Sequence, residues 1–385
     1  MVAQYDSDGP RSELGLDLPV SSEIEAAVHI KWIARCDAMR YLVTGGAGFI
    51  GSNTVQELVR CGHKVVVLDN LSTGKESNLA GVRDHIEFIH GSITEPEKVR
   101  AACLGVDYLL HLAARTSVPR SMKEPVETNY VNVDGTLNVL LAARDAKVRR
   151  VVFSASSSVY GETPTLPKRE SMTPAPISPY GVTKLMGEVY GKLFHRIYGL
   201  EFVALRYFNI FGPRQDPDSP YSGVLSRFNA ALLEGREPTI YGDGQQSRDF
   251  TFVANAVQAN LLACTAQNVA GLAFNIGTGN RYTLNQTLRM LGTITGRSGN
   301  AKYAPPRDGD ILHSQADISE ARAKLGYIPR VGFEEGLRRT WEWFCDNSIT
   351  KQLALGAAAG SARVMGVRPL SGGFPYNQEI AIAKE

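Results

Sequence analysis

The sequence predicts an α/β protein in which a doubly wound parallel sheet is followed by a smaller C-terminal domain. From Arg40 onward, short runs of β-branched residues alternate with longer helical stretches. This alternation is typical of parallel strands joined by covering helices. After Asn209 it gives way to loops rich in proline and glycine. The change predicts a first domain over residues 39–209 and a second domain over residues 210–345.

Each predicted strand of the first domain is one hydrophobic run. In chain order the runs are YLVTG, KVVVLDN, IEFIHG, VDYLLHLAA, RRVVFSASS and FVALRYFN. Proline-free stretches with apolar residues at helical spacing predict helices over Gly51 to Arg60, Asn132 to Ala146 and Tyr180 to Tyr198. A shorter helix is predicted from Gly223 to Leu233. The run TFVANAVQANLLACTA indicates that residues 248–276 return to the first domain.

The two ends of the chain lie outside these patterns. Residues 1–38 precede the first strand and are interpreted as an extension that the fold does not need. Residues 346–385 include the Ala- and Gly-rich run from Leu355 to Ala362 and predict a weakly ordered tail.

Composition excludes several classes of protein. Of 385 residues, 41 are basic and 39 acidic, and no basic stripe follows a phosphate backbone, so nucleic acid is not an expected partner. No run approaches the ~20 apolar residues of a membrane span. The five cysteines are far apart and lack a metal-ligand spacing. This pattern predicts no metal site and fits a reducing cytoplasm.

A glycine-rich turn predicts a dinucleotide site. Gly45, Gly48 and Gly51 follow the first strand, with Phe49 and Ile50 between the last two. Glycines at such a turn let backbone N–H groups approach a pyrophosphate at a helix N-terminus. The second strand ends in Asp69 and Asn70, where a carboxylate would accept the ribose hydroxyls and repel a 2′-phosphate. The predicted cofactor is therefore NAD.

Three polar residues predict a catalytic centre. Tyr180 and Lys184 are four residues apart, directly after Pro179, so they share one face of a helix. A nearby ammonium, with oxidised nicotinamide, is expected to lower the pKa of the tyrosine toward the working range. Ser156 belongs to a serine cluster at the end of the fifth strand, where parallel sheets present reactive groups.

The motifs T-G-G-A-G-F-I-G, L-D-N, H-L-A-A, S-S-V-Y-G, Y-G-V-T-K and R-Y-F-N occur in this order. With them the chain resembles the extended short-chain dehydrogenases/reductases, and it is most similar to UDP-sugar 4-epimerases, from about Met39 to Phe344. The resemblance implies a Rossmann-type NAD-binding domain and a smaller domain for the nucleotide sugar. It also implies a homodimer, in which the helices at 132–146 and 180–198 pair into a four-helix bundle.

The resemblance assigns further residues of this chain to the site. On the cofactor side these are Ser92, Ile93, Leu112, Ala113, Ala114, Asn132 and Phe208. On the substrate side they are Ser117, Ser156, Asn209, Arg248, Arg307, Asp310 and Ser314, and the arginines and Asn209 would hold the diphosphate. Ser92 is a departure, because the family usually has G-D-I where this chain has G-S-I. The change is expected to weaken an adenine contact.

The reaction that the resemblance implies is 4-epimerisation through a transient 4-keto sugar. Related dehydratases and decarboxylases carry an acidic residue directly before V-Y-G, whereas this chain has Ser157 and Ser158. At the position of Ser314, the resemblance places a tyrosine in epimerases that are restricted to glucose and galactose. This smaller residue favours UDP-GlcNAc and UDP-GalNAc, with UDP-Glc and UDP-Gal as further substrates. A UDP-glucuronate 4-epimerase and another nucleotide-sugar decarboxylase or dehydratase stay as alternatives. A scaffold that binds NAD without catalysis would not require Ser156, Tyr180 and Lys184 together, so their joint presence argues against this alternative.

Overall fold

The computed structural model describes residues 38–216, 223–306 and 311–358. Its strands are β1 (Arg40–Thr44), β2 (Lys64–Asp69), β3 (Ile86–His90), β4 (Tyr108–His111), β5 (Arg150–Ser156), β6 (Glu201–Tyr207), β7 (Ile210–Phe211), β8 (Thr239–Tyr241), β9 (Ser247–Arg248), β10 (Thr251–Phe252), β11 (Ala273–Ile276), β12 (Tyr282–Thr283) and β13 (Lys302–Ala304). Its α-helices are α1 (Phe49–Arg60), α2 (Pro96–Cys103), α3 (Val118–Lys123), α4 (Pro125–Asn129), α5 (Gly135–Asp145), α6 (Pro179–Tyr198), α7 (Val224–Leu233), α8 (Val253–Thr265), α9 (Leu284–Thr295) and α10 (Phe333–Ala358).

Seven parallel strands form the main sheet in the order β11-β6-β5-β4-β1-β2-β3. The six hydrophobic runs that predict strands form β1 to β6, and the doubly wound sheet predicted from them is confirmed. The strand order reverses at β1 and β4, so a crevice opens beyond their carboxyl ends. That edge of the sheet holds the candidate site.

Helices cover both faces of this sheet. On one face α1 and α8 pack through residues such as Val55, Leu58 and Ala259. On the other face α2, α5 and α6 pack through residues such as Val139 and Phe194. Because both faces are covered, the central strands are apolar along almost their whole length.

A second hydrophobic core lies in the smaller domain. Aromatic residues dominate it: Phe250 and Phe333 stack at 5.2 Å between ring centroids, and Phe211 meets Phe252 edge to face at 5.7 Å. Helices α7, α9 and α10 contribute the aliphatic part of this core. Strand β11, however, pairs with β6 in the main sheet, so the chain returns to the first domain after residue 250.

The C-terminal boundary predicted at residue 346 is corrected by the structure. Helix α10 continues without a break to Ala358, because residues 351–358 include good helix formers such as Lys351, Gln352, Leu353 and Ala354. Residues 1–37 and 359–385 lie outside the described part of the chain. Among the described helices, none combines the length and the apolar character that crossing a membrane requires.

Candidate functional site

A cleft of about 2030 Å³ follows the carboxyl ends of the sheet strands and extends between the two domains. It brings together residues as far apart in the sequence as Gly45 and Asn347. The site residues predicted from the sequence that line it are Gly45, Gly48, Phe49, Ile50, Gly51, Asp69, Asn70, Ser92, Ile93, Leu112, Ala113, Ala114, Ser117, Ser156, Tyr180, Lys184, Asn209 and Arg248.

The glycine turn after β1 is shaped for a diphosphate. Gly45 has a φ of +71°, and a Cβ there would lie 2.8 Å from the Cα of Ala113, so the turn requires glycine. A Cβ on Gly51 would lie 2.1 Å from the carbonyl oxygen of Gly45. The first i to i−4 bond of α1 runs from Ser52 to Gly48, so the amides just before it are available at the helix N-terminus. Such amides bind anionic phosphate groups.

Asp69 lies at the end of β2 and is almost buried at the edge of the cleft. Its carboxylate accepts hydrogen bonds from the backbone N–H groups of Ala47 at 2.9 Å and Leu71 at 2.8 Å. Burial raises the pKa of this carboxyl, and the two backbone hydrogen bonds act in the opposite direction. Each oxygen keeps a further lone pair, so the carboxylate fits the ribose hydroxyls of a dinucleotide.

Ser92 stands at the other side of the same end of the cleft. Its hydroxyl is hydrogen-bonded to Thr94 at 2.8 Å, and its backbone N–H donates to Glu95 at 2.6 Å. The hydroxyl therefore completes a local turn in place of the carboxylate that the family usually has here.

The catalytic residues predicted from the sequence meet in the centre of the cleft. Ser156 ends β5, and Tyr180 lies in the first turn of α6, which Ser178 caps by accepting from the N–H of Gly181 at 3.1 Å. Helix α6 lies unusually close to the sheet, because a Cβ on Gly187 would be 2.4 Å from the ring of Phe153. Because Gly187 has no side chain, α6 can approach the sheet closely. This approach determines how far Tyr180 and Lys184 lie from the strand ends.

Burial dominates the electrostatics of Tyr180 and Lys184. Burial raises the pKa of Tyr180 to about 12, and the hydrogen bond with Ser156 opposes this rise. Lys184 is not among the causes of the shift. Its ammonium donates to the carbonyl oxygen of Ser154 at 2.7 Å and lies 5.9 Å from the ring centroid of Tyr180. Among the protein's own groups, burial of the phenol therefore dominates, and the lowering of the tyrosine pKa by Lys184 together with oxidised nicotinamide stays a prediction.

Lys184 itself is strongly perturbed. It is buried next to Phe153, with its nitrogen 4.9 Å from the ring centroid, and desolvation lowers its pKa to about 7. The carbonyl of Ser154 and the aromatic face favour the ammonium but do not offset the loss of water. Lys184 can therefore gain or lose a proton near neutral pH.

Two residues placed on the cofactor by the resemblance, Asn132 and Phe208, do not line the cleft. Phe208 is fully buried in the core, because its side chain turns inward at the end of β6. Asn132 is also buried, and its amide bonds both backbone groups of Arg115 and the hydroxyl of Thr183. It joins the loop after β4 to the catalytic helix.

On the substrate side the structure supports only part of the predicted set. Arg248 lines the cleft, and its guanidinium donates to the carbonyl oxygens of Ser247 and Leu312, both at 3.0 Å. Ser314 is buried and bonds β9 through its backbone N–H, so it does not line the cleft itself. Arg307 and Asp310 lie outside the described residues.

Sequence reasoning missed the buried support of the site. Asp249 accepts hydrogen bonds from the backbone N–H groups of Thr278, Gly279 and Ala316, and it thereby fixes the chain next to Arg248. His111 is buried between Thr44 and Thr136. The sequence signal that could have indicated Asp249 and His111 is their polarity at strand ends, next to motifs that were already recognised. In the part of the chain that the structure describes, no cluster of three His, Cys, Asp or Glu could hold a metal ion.

Comparison with known proteins agrees with this geometry. The model of the NAD dependent epimerase/dehydratase family matches residues 41–277. The UDP-glucose 4-epimerase of Mycolicibacterium smegmatis is 40% identical over 314 residues, which cover 80% of this chain and 100% of that protein. The UDP-N-acetyl-alpha-D-glucosaminuronate decarboxylase of Bacillus cytotoxicus is 34% identical over 316 residues, covering 79% of this chain and 97% of that protein.

The same family appears among solved structures. The UDP-N-acetylglucosamine 4-epimerase from Methanobrevibacter ruminantium M1, in complex with UDP-N-acetylmuramic acid, superimposes with a TM-score of 0.78 at 40% identity, covering 81% of this chain and 100% of that chain. The glycine turn, Asp69 and the Ser156–Tyr180–Lys184 centre occupy one cleft that fits a dinucleotide beside a nucleotide sugar. The chain therefore belongs to the NAD dependent epimerase/dehydratase family of extended short-chain dehydrogenases/reductases, and NAD is its cofactor.

Proposed function

We propose that the protein is a UDP-hexose 4-epimerase whose favoured substrates are UDP-GlcNAc and UDP-GalNAc, with UDP-Glc and UDP-Gal also accepted. The observation that carries the proposal is the centre formed by Ser156, Tyr180 and Lys184, which has no carboxylate in its serine loop. Dehydration and decarboxylation in related enzymes use an acidic residue directly before V-Y-G. Here that position is Ser158, whose hydroxyl is hydrogen-bonded to Ser156.

In the proposed reaction, Tyr180 removes the proton of the sugar 4-hydroxyl while Ser156 holds the oxygen. NAD, which the glycine turn and Asp69 would hold, would supply the redox chemistry as a reversible hydride acceptor for C4 of the sugar. Tyr180 then gives its proton back to the 4-oxygen of the inverted sugar, and the net redox change is zero because C4 also regains a hydride. With oxidised nicotinamide bound, the Lys184 ammonium, which lies 5.9 Å from the ring centroid of Tyr180, would help to stabilise the phenolate.

The sugar must turn over in the cleft while the nucleotide stays anchored. Arg248 and Asn209 line the cleft on the side of the smaller domain, and Asn209 has the unusual φ of 31°. A planar guanidinium gives directed, charge-assisted bonds to phosphate oxygens. We assign these two residues, together with Arg307 from the sequence, to the diphosphate.

Charge in the cleft favours a neutral sugar. Arg115 and Arg120 lie on the loop and helix after β4, and both pair with Glu124. A uronate carboxylate would have to compete with Glu124 for them. UDP-glucuronate 4-epimerisation is therefore the second candidate, favoured only by the presence of these two arginines.

The preference for acetamido sugars is supported by the small residue at position 314 and by the named activity of the Methanobrevibacter ruminantium enzyme. Ser314 is buried beside Ser247 on β9, adjacent to Arg248. Because Ser314 is only 8% exposed, a tyrosine ring at this position would have to displace neighbouring groups. Ser314 thus acts indirectly, by leaving the cleft open.

We further infer a homodimer in the cytoplasm. Exposed apolar side chains lie on both α5 and α6: Leu141 on α5, and Val182, Val189 and Leu193 as a stripe along α6. Such a stripe is typical of a face that packs against another helix pair. The cysteines in the described ranges are Cys61, Cys103, Cys264 and Cys345, and all are free, as a reducing compartment would leave them. The molar mass in solution, measured by light scattering, tests the dimer, and Val189→Asp should shift it to the monomer.

The activity is tested by incubating the purified protein separately with UDP-GlcNAc, UDP-Glc and UDP-GlcA, without and with added NAD. Anion-exchange chromatography and proton NMR identify the products. Conversion of UDP-GlcNAc to UDP-GalNAc is the expected result. Loss of carbon dioxide or water from any substrate would replace the epimerase by a decarboxylase or dehydratase, and no product in any incubation would leave the epimerase proposal without support.

A further inference from the structure

A buried ion pair joins helix α6 to strand β6. The guanidinium of Arg206 on β6 donates to both carboxylate oxygens of Glu188 on α6, at 2.9 Å and 2.7 Å. The two side chains are 3% and 1% exposed, and neither residue lines the cleft. Desolvation acts to lower the pKa of Arg206, but its hydrogen bonds to Glu188 raise this pKa overall, so the guanidinium stays charged.

The same guanidinium contacts the segment that follows the serine cluster. Arg206 donates to the hydroxyl oxygen of Tyr160 at 2.8 Å. Tyr160 is buried at the end of the 3₁₀ segment Ser157–Tyr160, which directly follows Ser156. The hydroxyl hydrogen of Tyr160 is donated to the side-chain oxygen of Asn275 at 2.6 Å. One arginine side chain thus contacts both parts of the chain that supply the catalytic centre.

The ion pair lies close to the reactive groups in the sequence of each element. Glu188 comes one helical turn after Lys184 and two turns after Tyr180, so the three residues lie on the same side of α6. Arg206 is the register partner of Ala155, and each of these residues is one position before the end of its strand. The pair therefore connects α6 to β6 near the carboxyl ends of β5 and β6.

The other close contacts between α6 and the sheet have no directional bonds. Gly187 faces the ring of Phe153 and Gly191 faces the ring of Phe202, where a Cβ would lie 2.4 Å and 2.1 Å from the nearest ring atom. A glycine has no side chain that could interlock with the ring. A bidentate pair between a guanidinium and a carboxylate supplies the geometric specificity that such contacts lack.

We propose that Arg206, through Glu188 and Tyr160, is a positioning residue for the reaction, an inference that rests on the proposed function. It holds the helix that carries Tyr180 and Lys184 in a fixed position relative to the serine cluster. A buried ion pair contributes little to stability, because the loss of hydration offsets much of the attraction between the charges. Apolar residues of similar volume can therefore replace the pair while the protein stays folded.

The test replaces both members of the pair at once, as Glu188→Leu with Arg206→Met, so that no unpaired charge stays buried. The matched control is Arg150→Met. Arg150 is also buried and paired with a glutamate, Glu201, but this pair lies at the opposite ends of β5 and β6. Circular dichroism and thermal melting check the fold, and the double variant should melt within about 5 °C of the parent.

The first measurement is kcat and KM for UDP-GlcNAc. The kcat of the double variant should fall by a factor on the order of 10 to 100, the effect of displacing a reacting group by about 1 Å. KM should stay within about twofold of the parent, because neither residue lines the cleft. Arg150→Met should keep the parent kcat even if it melts at a lower temperature. Glu188→Gln, which loses one charge-assisted bond, should also lower kcat and gives a second variant if the double variant does not fold.

The second measurement does not depend on turnover. It is the titration of Lys184, followed by carbon-13 NMR of protein with labelled lysine and assigned with Lys184→Arg. Burial lowers the pKa of Lys184 to about 7 in the parent. In the double variant this pKa should be about one unit higher, because water reaches the nitrogen when α6 moves, while the two removed charges cancel. Arg150→Met should titrate with the parent.

Two results would overturn the inference. One is an unchanged kcat together with an unchanged Lys184 titration in a folded double variant. The other is an equal loss of kcat in Arg150→Met, since the effect would then follow stability alone. If the parent converts no UDP-sugar, the proposed function fails, while the Lys184 titration still decides whether the ion pair positions α6.

Discussion

The imidazole of His111 is hydrogen-bonded to the hydroxyl of Thr136 at 3.0 Å, and the direction of this bond follows from its surroundings. Thr136 donates its own hydrogen to the carbonyl oxygen of Asn132 at 2.6 Å, so His111 must be the donor through Nε2. Nδ1 then accepts from Thr44, at 2.8 Å. A neutral histidine thus joins the strand before the glycine turn to the helix segment that carries Asn132.

This arrangement predicts how stability depends on pH. Burial lowers the pKa of His111 from 6.5 to about 3. Between these values the unfolded chain binds a proton that the folded protein does not bind. The free energy of unfolding should therefore fall as the pH falls through this window, by up to about 1.4 kcal/mol per pH unit from this group.

A neutral replacement isolates the effect. His111→Gln should show a shallower loss of stability over the same pH window, measured by urea denaturation at each pH. The carboxylates contribute equally to both proteins and cancel in the comparison. Parallel pH curves for the two proteins would show that His111 is not held neutral.

Tyr180→Phe should fold and retain NAD but lose turnover by a factor on the order of 10² to 10⁴, the usual contribution of a general base. The ring of Tyr180 is partly buried, and phenylalanine keeps the same ring in that packing. Circular dichroism and the NAD content of the purified variant are the controls. Turnover equal to that of the parent would show that Tyr180 is not the general base of the reaction.

Gly187→Ala should lower both stability and turnover. The added methyl group meets the ring of Phe153, with the Cβ 2.4 Å from the nearest ring atom. Overpacking of this kind costs about 1–3 kcal/mol, and relief requires α6, which carries Tyr180 and Lys184, to move away from the sheet. Gly332→Ala is the matched control, because nothing lies within 4 Å of a Cβ at that position. Thermal melting and kcat are measured for both variants, and equal effects at the two positions would contradict the packing argument.

Asp69→Asn should weaken NAD binding about tenfold or more, since an amide presents one acceptor oxygen in place of two and one charge-assisted hydrogen bond to ribose is lost. The same change should reduce the preference for NAD over NADP, because the repulsion of a 2′-phosphate disappears. The dissociation constants of both cofactors, measured by calorimetry on stripped protein, check this. An unchanged ratio of the two constants would show that Asp69 does not face the adenosine ribose.

Ser314→Tyr should lower kcat/KM for UDP-GlcNAc by tenfold or more relative to UDP-Glc, an order-of-magnitude expectation for filling a pocket that holds a small substituent. Comparison of the two substrates in the same variant removes any general loss of activity. If both substrates lose activity to the same extent, the residue at position 314 does not control access of the acetamido group.

Much of this architecture is visible in the sequence because it depends on local patterns. Alternating β-branched and helical runs predict the sheet and its helices, since each element must bury an apolar face. The spacing of Gly45, Gly48 and Gly51 predicts a tight turn before a helix, and Tyr180 and Lys184 share a helical face because they are four residues apart. These features require only the geometry of neighbouring residues.

Other features depend on which distant side chains meet, and only the tertiary structure decided them. Phe208 and Asn132 are buried and do not line the cleft, Ser314 is buried beside β9, and α10 extends into the residues predicted to form a tail. The pKa values of the site residues also depend on the tertiary structure, because a pKa is determined by burial and by partners from other helices and strands. The sequence by itself thus determined the fold and the cofactor, and it predicts the residues of the reaction. The packing of α6 against β5 decided the burial that shifts the pKa values of Tyr180 and Lys184.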